Sequence, residues 1–114
     1  MRVEELLRMK TRLFLKAYVL TRVKGHDYSG EEDTLANLKA SMILGVPAEK
    51  GVLIRLLDKV MRLKNFIDTG VLKVQDEKLE DTVVDIHNYV DLFYALILEK
   101  RGGMRDGGPE PGGA

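Results

Sequence analysis

Apolar and polar residues recur with a helical period in four stretches of this chain. From residue 3 to about 24, Val3, Leu6, Leu7, Leu13, Phe14, Ala17, Tyr18 and Leu20 form one stripe, with Glu4, Glu5, Arg8, Arg12, Lys16 and Arg22 around the rest. This is the pattern of an amphipathic helix. Its first-turn glutamates and the Arg22 and Lys24 of its last turn suit the helix dipole. Residues 25–30, G-H-D-Y-S-G, set two glycines around polar turn formers and predict a loop. A helix is expected to restart near Asp33 or Thr34, where Leu35, Leu38, Met42 and Ile43 make a short amphipathic segment that Gly45 ends. Val46 and Pro47 form the break, and Pro47 suits the first turn of the next helix.

The helix predicted over 48–68 has apolar residues around more than half its girth, from Val52 and Leu53 to Leu63 and Ile67, and reads as the central one. Its narrow polar arc holds Arg55, Asp58, Lys59, Arg62 and Asn65, with Asp58 spaced to meet Arg55 or Arg62. Thr69-Gly70 ends it, and 71–75 read as a short extended connection. The last helix is expected from Leu79 to Lys100. At about 100° per residue, Leu79, Val83, Ile86, Val90, Phe93 and Ile97 share one line, the expected core stripe. Roughly opposite runs an acidic line of Glu77, Asp81, Asp85 and Asn88, which continues as Leu92, Ala95 and Leu96. A helix so apolar toward its end is covered from both sides, which places the acids at the mouth of a covered region.

The 114 residues provide for one domain, over 1–101, with a Gly/Pro-rich tail over 102–114 that has little to bury and is expected to be disordered. The fold class is all-α, a four-helix bundle. Two helices too apolar for one subunit to cover lead us to expect a homodimer or a higher homo-oligomer. Eighteen basic and eighteen acidic residues balance, so no basic excess favours long DNA or RNA. There is no cysteine, which leaves carboxylates, two histidines and water as metal ligands and favours Mg²⁺ or Mn²⁺. The first twelve residues lack an uninterrupted apolar run, so neither a signal peptide nor a membrane span is expected, and the default compartment is the cytoplasm.

Glu77, Asp81 and Asp85, at i, i+4 and i+8, aim at one region, and Asp58 from the preceding helix would make four carboxylates able to hold Mg²⁺ against phosphate. The alternative is a solvated acidic face near a helix N-terminus, with Asp58 in a salt bridge on its own helix. Lys59, Arg62 and Lys64 are placed to meet phosphate oxygens. The stretch 26–33, H-D-Y-S-G-E-E-D, is dense in hydrogen-bonding groups for a base or sugar, or reads as a polar connector. His26 and His87 make no metal-ligand spacing, and there is no nucleophile motif, P-loop or dinucleotide fingerprint.

Three blocks in fixed order, H-D-Y-S-G-E-E-D-T-L-A-N, G-V-L-I-R-L-L-D-K-V-M-R-L and D-E-K-L-E-D-T-V-V-D-I-H-N-Y, resemble the nucleotide-modification-associated domain, a family of small, largely phage-encoded proteins. The third block is also similar to the E-x-x-D helix of MazG-like all-α nucleotide pyrophosphohydrolases, with Asp85, Ile86 and Tyr89 in place. The resemblance implies an oligomeric helical bundle that uses Mg²⁺ to hydrolyse a nucleoside triphosphate to monophosphate and pyrophosphate. By position, Asp85 would be the E-x-x-D aspartate, and Asp81 the nearest substitute for its glutamate, whose own place is held by Thr82. The E-E-x-x-E helix of those enzymes is not found as such; Asp58 and the acids at 31–33 would stand in. In this scheme Asp58, Glu77, Asp81 and Asp85 hold metal, with Asp81 and Asp85 catalytic. Lys59 and Arg62 offset phosphate charge, and Asp27, Tyr28 and Asn37 serve the nucleoside end. A protein that holds a nucleotide or nucleotide signal without turning it over, and a purely structural oligomer, are the alternatives.

Overall fold

The computed structural model describes residues 1–29, 38–71 and 78–102, with side chains outside 25–29. All of its regular structure is helical: α1 (Val3–Ser29), a 3-10 helix (Leu38–Leu44), α2 (Ala48–Thr69) and α3 (Leu79–Lys100). The expected four helical elements are therefore three α-helices and one short 3-10 segment. Among the described residues no helix is long and apolar enough to cross a membrane.

The expected stops at Gly45 and Gly70 hold, each with left-handed backbone. Gly45 (φ 76°) closes the 3-10 segment and Gly70 (φ 74°) caps α2, its N–H donating to the Phe66 carbonyl at 2.7 Å. The expected loop at 25–30 is corrected, because α1 runs on to Ser29. One glycine costs a helix only about 1 kcal/mol, and a helix already six turns long propagates through it. Residues 72–77 and 103–114, which include the predicted connection and nearly all of the tail, lie outside the described residues.

The centre of the fold is α3, not the helix over 48–68. It packs on α1 along one flank and on α2 along another, while α1 and α2 make no direct contact among the described residues. Leu13 and Ala17 of α1 enclose Val84 with Met9, Leu20 and Val83 around them. Ala48 and Val52 of α2 enclose Leu96, with Leu38, Tyr89, Leu92 and Phe93 packed outside. The α2/α3 pair is antiparallel, as the Lys100–Glu49 ion pair at the α2 N-terminus shows.

These contacts rotate the core of α3 away from its predicted stripe. Val84 and Leu96 are buried and Thr82 is completely so, whereas Leu79 and Val90 are exposed. Two partners, each gripping a different half of α3, select the buried residues, and their combined footprint lies on the side of the acidic line. Asp81, Asp85 and Asn88 are accordingly half-buried. Much apolar surface stays uncovered: Phe14, Leu15, Tyr18, Val19 and Val23 on α1, and Leu53, Ile54, Leu57, Val60 and Met61 on α2.

Candidate functional site

The acidic N-terminal half of α3 is met by cations from both flanks. Glu80, in the first turn of α3, takes Arg12 and, at 2.7 Å, Lys16 from successive turns of α1. The hydrogen bond from Lys16, and then that from Arg12, holds the Glu80 carboxyl below its ordinary value of 4.5, while the same bond raises Lys16 above 10.5. Asp81 accepts the Lys78 backbone N–H at 3.1 Å and lies 3.6 Å from the Lys16 ammonium. This is the back-bond of a capping box, which satisfies one of the donors a helix start leaves unpaired. Two turns further along α3, Thr21 of α1 donates to the Asn88 amide oxygen at 3.1 Å.

Asp85 faces α2. Its Oδ2 is 2.8 Å from the Lys59 Nζ, with the lysine side chain 14% and the aspartate 26% exposed. Lys59 sits at the inner edge of the polar arc of α2, on the same side as buried Val52, so the chain carries an ion pair into its helix seam. Arg62 and Asp58 occupy the outer part of that arc and meet each other at 3.5 Å, with Asp58 68% exposed. Asp58 therefore makes the salt bridge expected along its own helix.

Between α1 and α3 lies an open groove of about 690 Å³. Leu15, Val19, Leu20 and Val23 of α1 and Val84 of α3 make its apolar walls, and Lys16, Asp81 and Asp85 are its polar points. Such a trough accepts a largely apolar group and offers carboxylate acceptors to donors at its edge.

Of the expected metal ligands, Asp81 and Asp85 are brought to one groove, whereas Asp58 is tied to Arg62 at the outer side of α2. Mg²⁺ demands near-octahedral oxygen coordination, and among the described residues no three carboxylate or histidine side chains group to hold an ion. The described residues do not by themselves fit the expected metal. Thr82 supplies a reason: the position at which E-x-x-D would carry its glutamate is 0% exposed here, a place where a carboxylate would lose its hydration. Asp27 and Tyr28 lie in the last turn of α1, beyond the groove end at Val23, with side chains outside those described; Asn37 and Glu77 lie outside the described residues.

Sequence reasoning missed Glu80, Lys16 and Thr82. The signal for Glu80 was present as an acid at the second position of α3 with Arg12 and Lys16 at i, i+4 on α1, but pairing them requires knowing that α1 and α3 run side by side in the same direction. Compared with family models, with curated proteins and with solved structures, the chain gave no match.

Proposed function

We propose that the protein is a nucleotide-binding helical homo-oligomer that holds its ligand without hydrolysing it. In this reading the α1/α3 groove takes the nucleoside end, toward Asp27 and Tyr28, and Lys59 and Arg62 of α2 face the phosphates. The observation that carries it is the Lys59–Asp85 pair in the helix seam beside the groove. Buried ion pairs contribute little net stability and are often replaceable by apolar side chains. A lysine and an aspartate in this position therefore serve recognition better than they serve folding. What supports binding over turnover is that a hydrolase of the expected kind needs several carboxylates directed at one metal, and among the described residues no three carboxylate or histidine side chains group in that way.

The Mg²⁺-dependent pyrophosphohydrolase is the second reading. What favours it is that Asp81 and Asp85, one helical turn apart, border a single groove. It needs further acids, the part that the resemblance assigns to Glu77 and Asp58.

Titration calorimetry of the purified protein with a panel of nucleoside triphosphates and monophosphates, with Mg²⁺ and with chelator, separates the two. Product analysis of the same mixtures completes the test. Binding without release of pyrophosphate, weakened at least tenfold in Arg62→Ala, is the expected outcome. Mg²⁺-dependent release of monophosphate and pyrophosphate, lost in Asp81→Asn, would overturn it in favour of the hydrolase. Absence of binding to every member of the panel would remove both and leave a structural oligomer.

A further inference from the structure

We propose that the outward face of α2 is the interface with a second copy of this chain, the two α2 helices packing antiparallel about a twofold axis that passes between Leu57 and Met61. The surface deepens the homo-oligomer part of the reading above and is independent of what the groove binds. Lys50, Ile54, Leu57, Met61, Lys64 and Asp68 recur at spacings of four, three, four, three and four, the repeat of a coiled-coil seam. At about 100° per residue this line lies opposite the face that buries Ala48 and Val52, so α2 presents one side to α3 and a second, complete seam to solvent. Leu53 and Val60, seven residues apart, flank the seam, and Ile67 comes after another seven. Every one of these apolar side chains is exposed, with Leu57, at the middle, at 60%. Scattered apolar residues are ordinary on a surface, but six exposed on one side of about four helical turns are not.

Charge decides the direction. A parallel pair would set Lys50 against Lys50, Lys64 against Lys64 and Asp68 against Asp68. The antiparallel pair sets Leu57 against the partner's Met61 and Ile54 against the aliphatic stem of the partner's Lys64. At each end it brings Lys50 to the partner's Asp68, where the Lys64–Asp68 pair, 2.5 Å within each chain, receives a second ammonium. Twofold symmetry makes that end contact occur twice.

Sedimentation of the full chain with Leu57→Glu, alongside crosslinking, tests the surface. The wild-type chain is expected to sediment as a dimer, or as a multiple of one, and Leu57→Glu to weaken self-association at least 100-fold with its helical circular dichroism unchanged. Because the chain has no cysteine, Lys50→Cys and Asp68→Cys chains can be mixed and treated with a short bis-maleimide. Crosslinks between the two kinds of chain should predominate. Like-with-like crosslinks should be scarce, because two copies of position 50 would stand about 27 Å apart along the helix pair. Predominant like-with-like crosslinks would overturn the antiparallel arrangement. An oligomer undisturbed by Leu57→Glu would overturn the surface while leaving self-association standing. A wild-type chain that stays monomeric at high micromolar concentration would overturn both, whatever the calorimetry shows of nucleotide.

Discussion

Replacing Asp85 by asparagine tests the central pair most directly. The substitution keeps shape and a carbonyl acceptor beside Lys59 and removes only the charge. At the observed 2.8 Å, two unit charges in an effective dielectric of about 20 attract by about 6 kcal/mol. Most of this is offset in the intact protein, since taking each ion from water costs several kcal/mol. The substitution deletes the attraction but leaves the ammonium of Lys59, 14% exposed, in the seam. Breaking a fully buried pair from one side costs about 3–5 kcal/mol, and with the carboxylate 26% exposed the effect should fall at or just below the lower end, about 2–3 kcal/mol. With a urea slope of about 1.5 kcal/mol/M for a chain of this size, the midpoint should fall by between about 1.3 and 2 M. The double replacement Lys59→Met with Asp85→Leu removes both ions, and should return the midpoint to within about 0.7 M of wild type; under the proposed function it would also abolish nucleotide binding. Unfolding measured by circular dichroism at one fixed chain concentration compares all three proteins, since the proposed self-association would make the midpoint depend on concentration. A drop of less than about 0.3 M in Asp85→Asn would refute the argument that the seam holds an ion pair kept for recognition. So would a double variant no more stable than the single one.

The same geometry fixes other outcomes. Because hydrogen bonds from Lys16 and Arg12 depress the Glu80 carboxyl, its contribution to stability is complete above its ordinary value of 4.5 and is lost as pH falls through the lowered one. Thermal melts of wild type and Glu80→Gln should therefore differ at about pH 6 and converge in acid. Thr82→Glu, which restores the E-x-x-D spacing to Asp85, should destabilise the chain by more than about 3 kcal/mol by forcing a carboxylate into a fully buried position. It should also give no Mg²⁺-dependent turnover, as a melt and a pyrophosphate assay on one preparation would show. Val52→Ala, at a position 1% exposed, should cost about 1.5–3 kcal/mol, whereas Ile43→Ala, at 87%, should stay within about 0.5 kcal/mol, both read by urea titration.

The bounds of α2 and α3 were legible because their punctuation is local. Pro47 opens one, Gly70 closes it, and the expected start and end of α3 at Leu79 and Lys100 coincide with those found. The end of α1 was not, since a glycine weighs heavily in a sequence window and only lightly in a helix already formed. The inward face of α3 was not legible for another reason. With apolar residues on nearly every side it offers two stripes of similar strength, and only the placement of α1 and α2 selects the one that contains Val84 and Leu96. That choice carried the site with it. Of the acidic line, Asp81 and Asp85 border a groove, but which cation each meets depends on how neighbouring helices align, and it is Lys59 that reaches Asp85.

Because, among the described residues, α1 and α2 lean on α3 from separate sides and not on each other, α3 acts as a keystone. Loosening α1 from Glu80 and Val84 would leave the α2/α3 pair closed around Val52 and Leu96, whereas unwinding α3 would release both neighbours together. Backbone amides of α1 should accordingly exchange with deuterium through a partial opening, and those in the middle of α3 only when the whole chain opens. A ligand seated between α1 and α3 would tie the looser rod to the firmer one, so occupancy would be felt as a slowing of exchange along α1.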